Sequence, residues 1–265
     1  MSSASSTRLV AVDIGNSRIK IGEFAAIEPG VLPVPTTTAA IDVASGVDAL
    51  AKRLSAGVAE CQWAIASVNR PAATRLTKWL VGQGATSVKL LALADMPVKI
   101  DVDRSDSVGL DRLADVTAAN CLRTAGQPAV VVDHGSAITV NLIAADGTFQ
   151  GGAILPGVNM SARALHEFTD GLPLVDIRNV PDELRRSTEG AIAFGIAWGA
   201  VGAVREVIAR LLPSADAYQV FVTGGGGEAL ANLLDGDGPK AQYVPHLTLS
   251  GVALAAARLT AGDGR

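Results

Sequence analysis

Four short segments carry residue types that could together handle a phosphate ester. The first is Asp13-Ile-Gly-Asn-Ser-Arg-Ile-Lys20. Gly15 lets backbone come close to a phosphate. Asn16, Ser17 and their backbone N–H groups can donate to phosphate oxygens, and Lys20 adds a cation. Asp13 repels phosphate directly, so its chemistry makes sense if it holds Mg²⁺ through water while the metal bridges the phosphates. The second segment, Asp133-His-Gly-Ser-Ala-Ile-Thr139, offers another carboxylate that can bind a cation, with Ser136 and Thr139 as hydroxyl donors. His134, a single imidazole in a turn, reads as a surface residue.

The third segment is Thr223-Gly-Gly-Gly-Gly227. Gly224 and Gly225 would let a flat ligand lie against backbone, and a following helix N-terminus favours anions. No Gly-Lys-Ser/Thr follows, which excludes a Walker A loop, and a plain flexible turn fits the same residues. The fourth is Gly109-Leu110-Asp111-Arg112 at a helix start. There Asp111 can accept a proton from a substrate hydroxyl while the Arg112 fork holds an anionic group. A helix N-terminus also favours an Asp for its dipole alone, so both readings of Asp111 stand.

The elements that must position these residues follow from hydrophobic patterning. Residues 8–12 form an apolar strand ending at Asp13, 15–17 a tight turn, and 18–24 a returning strand, so Asp13 sits at the rim of a β-hairpin. Strands are expected at 63–68 and 88–93, with a Pro-initiated helix at 71–81 between them. A helix follows at 108–123. The strand–Asp-x-Gly–strand pattern then recurs at 129–133 and 137–143, about 120 residues after its first copy, the size of one small α/β domain. A third strand at 149–154, helices at 158–168 and 189–212, a strand at 218–223, a helix after the glycine run and a terminal helix at 251–259 complete the reading. The duplication predicts an α/β chain of two similar domains, 8–125 and 126–265, behind a disordered polar tail at 1–7.

The 265 residues carry a net charge of -4, with 49% hydrophobic but only 4% aromatic side chains. An Ala/Val/Leu/Ile-rich core suits parallel sheets packed with helices. The acidic balance excludes nucleic acid as an obligatory partner. Cys61 and Cys121 lack the spacing of a zinc site or a disulfide framework and read as small buried hydrophobes. The start of the chain lacks a signal-peptide core, and no uninterrupted apolar stretch of spanning length is expected. A cytoplasmic protein with no membrane partner is the expectation.

Taken together, the motifs resemble the type III pantothenate kinases, a branch of the acetate and sugar kinase/Hsp70/actin group. The resemblance runs through D-I-G-N-S-R-I-K, G-L-D-R and D-H-G-S-A-I-T-V-N. It continues through G-G-A-I-L-P-G at 151–157, Leu165, Thr169, Leu172-Pro173, Thr188, V-T-G-G at 222–225 and L-T-L-S-G at 247–251. It implies duplicated ribonuclease-H-like domains of the actin-like ATPase type, with a nucleotide cleft between them. It implies ATP-dependent phosphorylation of pantothenate to 4'-phosphopantothenate, the first step of coenzyme A synthesis, by a homodimer.

By motif position the resemblance puts ATP phosphates on Asp13, Gly15, Asn16, Ser17 and Lys20, with Mg²⁺ near Asp13. It puts Ser136, Gly224 and Gly225 at the nucleotide, and a monovalent cation (potassium or ammonium) at Asp133. It makes Asp111 the proton acceptor, and Gly109, Leu110, Asp111, Arg112 and Thr188 the pantothenate contacts. Four positions depart from the family pattern. Val102 and Ser105 stand where a Tyr and a Pro are usual, Ser136 where a Thr is usual, which keeps the hydroxyl, and Asn141 where an Asp is usual, which loses a charge. The first departure leaves another small hydroxy compound as an alternative substrate. A non-catalytic accessory protein of the same fold is the alternative outside enzymology.

Overall fold

The computed structural model describes residues 8–54, 57–177, 186–213, 217–234 and 240–262. The expected tail at 1–7 lies outside them. The chain begins with strands β1 (Arg8–Ile14), β2 (Arg18–Phe24), β3 (Thr37–Asp42) and β4 (Cys61–Ser67), then helix α1 (Arg70–Gly82), strand β5 (Ser87–Leu90) and helix α2 (Leu110–Leu122). It continues with β6 (Ala129–His134), β7 (Ala137–Ile143), β8 (Phe149–Pro156), α3 (Val158–Glu167), α4 (Thr188–Leu211), β9 (Gln219–Thr223), α5 (Gly227–Leu234), β10 (Ala241–Tyr243) and α6 (Leu247–Gly262).

Two five-stranded sheets result, in the orders β3-β2-β1-β4-β5 and β10-β9-β6-β7-β8. Read from the first strand of each, both have the same plan. An antiparallel three-strand meander lies on one side, and two parallel strands on the other. The duplication inferred from the Asp13 and Asp133 motifs is therefore a repeat of whole-sheet topology, with each Asp near the end of its sheet's first strand.

The boundaries differ from the sequence reading. One compact unit runs to Leu122 and takes in His246 onward; the other is Arg123–Pro245. The last helix belongs with the first unit, not the second, and begins at Leu247, four residues earlier than its periodicity suggested.

Side-chain size explains that return. On β1, β2 and β4 the alternating residues Val10, Val12, Ile14, Ile19, Ile21, Trp63 and Ile65 build one core with Leu76 and Leu80 of α1. The opposite face carries Ala11, Asp13, Lys20, Gly22, Ala64 and Ala66, by alternation and by register. The small residues Ala11, Gly22, Ala64 and Ala66 let α6 lie directly on β1, β2 and β4. Helix α1 is started by Asn69, whose side chain accepts from the Ala72 N–H at 3.1 Å, with Pro71 in the first turn.

In the second unit Val130, Val132, Ile138, Val140, Val220 and Val222 pack against Val201, Val204 and Ile208 of α4 and Leu230 of α5. The other face of that sheet carries Asp133, Thr139, Asn141 and Thr223. The sequence reading did not anticipate β3 or β10, which are edge strands. β3 alternates only weakly and β10 has three residues, so neither carries a clear period-2 signal. Cys61 is buried and Cys121 half-buried, and burial pushes both thiols up, as expected for inert hydrophobes.

Candidate functional site

In the first unit, the β1–β2 hairpin closes where the Gly15 N–H donates to the Arg18 carbonyl at 3.0 Å, leaving Asn16 and Ser17 as an exposed two-residue tip. The tip is tied down by the Val43 N–H, which donates to the Ser17 carbonyl at 2.9 Å. Asp13 and Lys20 are cross-strand partners. Asp13 is 5% exposed, and its Oδ2 lies 3.4 Å from Lys20 Nζ. The hairpin thus presents a nearly buried carboxylate, an ammonium beside it, and open backbone and hydroxyl donors at the tip. No cluster of three or more His, Cys, Asp or Glu exists among the described residues. A lone carboxylate fits a Mg²⁺ that takes its other ligands from water and phosphate.

The same end of that sheet holds Gly109–Arg112. The Val68 N–H donates to the Ile14 carbonyl at 3.0 Å, and a Cβ on Gly109 would stand 3.3 Å from Val68 Cγ1. Asp111 Oδ1 accepts from the Arg112 N–H at 2.9 Å, and a Cβ on Gly109 would overlap that oxygen. One oxygen of Asp111 is therefore spent on the helix terminus; the other makes no protein hydrogen bond among the described residues. Both readings of Asp111 from sequence are compatible with this geometry, since one carboxylate has two oxygens. Burial pushes Arg112 down from its ordinary value, while Asp111 and Asp115 pull it back up. Leu110 opens α2, and Val102 sits half-buried in the preceding loop, just before the short 3₁₀ turn Ser105–Ser107.

In the second unit the structure brings Asp133, Ser136, Gly224 and Gly225 together. Asp133 is flanked in register by Thr139 on β7 and Thr223 on β9, a row of side-chain oxygens across three strands. The β6–β7 turn is one residue shorter than its counterpart, with only Ser136 between the paired residues Gly135 and Ala137. The glycine run folds over this turn. Gly224 has φ +92°, and a Cβ there would overlap Asp133 Oδ1 and stand 2.5 Å from the His134 carbonyl. The Gly226 N–H donates to the His134 carbonyl at 3.2 Å. Gly225 faces open space. The run is a fitted turn rather than a flexible one.

One sequence reading changes here. His134 is not a surface imidazole. It is half-buried, its Nδ1 lies 3.0 Å from the Gly226 carbonyl, and burial pushes its pKa down against the opposing pull of that hydrogen bond and of Asp133. Asn141, where a family Asp is usual, is fully buried and donates from Nδ2 to Thr139 Oγ1 at 3.2 Å. A carboxylate lacks that donor. Thr188 is the first residue of α4 and exposed, with Ser187 capping the helix by accepting from the Gly190 N–H at 3.1 Å.

Two residues escaped the sequence reading. Asp115 is 1% exposed, one turn beyond Arg112, and accepts from Thr248 Oγ1 at 2.8 Å. His246 has φ +58°, the one positive-φ non-glycine among the described residues. Burial and nearby Lys20 push its pKa down. The i, i+3 spacing of Arg112 and Asp115 was a usable signal; nothing local marked His246.

A sequence model of the type III pantothenate kinases matches residues 9–210. The type III pantothenate kinase of Synechococcus elongatus is 40% identical over 174 residues, 65% of this chain and 68% of that protein. That of Azoarcus sp. (strain BH72) is 33% identical over 255 residues, 94% of this chain and 90% of that protein. Among solved structures, a Campylobacter jejuni protein assigned to the Baf family of transcriptional activators aligns with a TM-score of 0.58 and 21% identity, covering 96% of this chain and 99% of that one. A Sinorhizobium meliloti protein assigned as a 2-dehydro-3-deoxygalactonokinase aligns at TM-score 0.53 and 16% identity, covering 95% and 96%. These structural likenesses speak to the fold, a duplicated ribonuclease-H-like α/β architecture of the actin-like ATPase type.

Proposed function

The chain belongs to the type III pantothenate kinase family, enzymes that phosphorylate pantothenate with ATP at the start of coenzyme A synthesis, and we propose how its residues divide that work. The observation that carries the assignment of roles is Asp111, with one oxygen fixed on its own helix and the other open, next to Arg112. Asp111 orients the primary hydroxyl of pantothenate and accepts its proton. Its weak basicity suffices because phosphoryl transfer through a loose transition state asks mainly for alignment. Arg112 holds the pantothenate carboxylate bidentately. Gly109 and Leu110 line that contact, Thr188 adds a hydroxyl, and Val102 supplies an aliphatic wall.

The hairpin from Asp13 to Lys20 receives the ATP phosphates through Gly15, Asn16 and Ser17, with Lys20 offsetting their charge. Ser136, Gly224 and Gly225 meet the nucleotide. Mg²⁺ held through water by Asp13, and potassium or ammonium held by Asp133 with Thr139 and Thr223, would supply positive charge to the phosphates. The test is ATP-dependent phosphorylation of pantothenate in Mg²⁺, with potassium, ammonium or sodium, beside Asp111→Asn. Potassium-stimulated product that falls at least a hundredfold in Asp111→Asn is expected, a loss of the size typical for a positioned acid–base group. Unchanged turnover in Asp111→Asn sinks the role given to Asp111.

Two copies pair through α4 in the cytoplasm. By length and composition alone this helix could cross a membrane, although charged Glu189 and Arg205 bracket its uncharged run, and 28% of its apolar stretch is buried. Its buried stripe is Ala197, Val201, Val204 and Ile208. The opposite stripe, Ala191, Gly195, Gly199 and Gly202, is exposed and small enough for another backbone to approach closely. Glu189 near one end and Arg210 near the other favour an antiparallel, two-fold pairing centred near Gly199.

A further inference from the structure

Asp115 is a fully buried carboxylate for which the roles above have no use. Burying a charge is costly unless it is paired and hydrogen-bonded. One partner is the Thr248 hydroxyl, donating at 2.8 Å from α6. That contact depends on how closely the two helices cross. A Cβ on Gly251 would overlap the Ala114 carbonyl oxygen, so the α6 backbone lies against α2 beside Asp115, and Thr248, one turn earlier, reaches the carboxylate. A neutral hydroxyl satisfies a lone pair but not a charge. The cation one turn away on the same helix face is Arg112, and the two are electrostatically coupled.

We propose that Asp115 is a positioning residue for Arg112, itself held by Thr248, so that the guanidinium is presented to the substrate carboxylate instead of being drawn to Asp111. This rests on the reading that Arg112 binds the pantothenate anion. The geometry gives it two roles at once. On α2, Arg112 has a carboxylate at the preceding residue, Asp111, and one a turn later, Asp115. If Asp115 loses its charge, the remaining carboxylate partner on this helix is Asp111, the proposed proton acceptor. The guanidinium then both leaves the substrate and occupies the base. A merely structural Asp115 would affect stability and leave substrate affinities alone.

The test is steady-state kinetics on the full chain with pantothenate and ATP varied separately, with thermal unfolding as a fold control. Asp115→Asn keeps an acceptor for Thr248 and removes the charge. The expected result is a pantothenate KM raised about tenfold, the scale of one weakened hydrogen bond to a charged group, with the ATP KM unchanged. Thr248→Val should raise the pantothenate KM a few-fold, while Thr248→Ser, which keeps the hydroxyl, should restore it; this pair carries the test if Asp115→Asn does not fold. In an Arg112→Ala background Asp115→Asn should add no further change, because the effect runs through Arg112. An unchanged pantothenate KM in folded Asp115→Asn, or equal rises in both KM values, overturns the proposal while leaving Arg112 in place. An Arg112→Ala variant with normal pantothenate KM overturns both.

Discussion

Replacing Gly224 by Ala tests whether the glycine run is a fitted part of the second unit. Two costs add. At φ +92° an alanine sits outside the regions that L residues adopt readily, worth about 1–2 kcal/mol. Its Cβ would also overlap Asp133 Oδ1 and crowd the His134 carbonyl. Neither neighbour is the far end of a flexible chain. Asp133 is a short side chain on the strand between those of Thr139 and Thr223, and the His134 carbonyl accepts the Gly226 N–H. Relieving the overlap by backbone movement costs about 1–3 kcal/mol more. The expected destabilisation is about 2–5 kcal/mol, or a Tm lower by roughly 4–20 °C at 2–4 °C per kcal/mol for a chain of this size. Gly225→Ala is the control, because a Cβ there meets nothing and no positive φ is needed; its change should stay within about 0.5 kcal/mol. Thermal unfolding reads both variants, and potassium titration of activity reads whether Asp133 has moved. A Gly224→Ala variant with the Tm and potassium response of the parent would refute the reasoning.

Two further outcomes follow from the structure. Burial lowers the His134 pKa from 6.5, so the fold favours the neutral ring: its contribution is complete above about pH 6.5 and is lost as pH falls below it. Unfolding curves from pH 7.5 to 5 should show the parent losing more stability than His134→Gln, and parallel curves would refute this. Gly199→Glu should place a charge at the centre of the exposed α4 stripe and convert dimer to monomer with little change in Tm; light scattering that gives the same mass for both proteins sinks the pairing through α4.

The sequence by itself determined the parts governed by short-range chemistry. A strand ending in Asp, a Gly turn and a returning strand is legible twice because each hairpin end is built by residues two to seven apart. Asp13 opposite Lys20, and Asp133 opposite Thr139, follow from that local register. The Gly109–Arg112 helix start and the strand-to-glycine-run passage at Thr223 were legible for the same reason. Tertiary structure alone decided which distant segments meet. The return of α6 to the first sheet depends on Ala11, Gly22, Ala64 and Ala66 leaving room for it, and small residues in a strand do not announce what will lie on them. The Thr248–Asp115 bond joins two helices through residues 133 positions apart in the chain. Its donor looked like any hydroxyl in an apolar run, and its acceptor like any charged helix residue. His134 was misread because burial is a property of what folds over a turn, here the glycine run, and not of the turn. The open stripe of α4 has the same character: composition made the helix apolar all round, and only its packing showed which side is left uncovered.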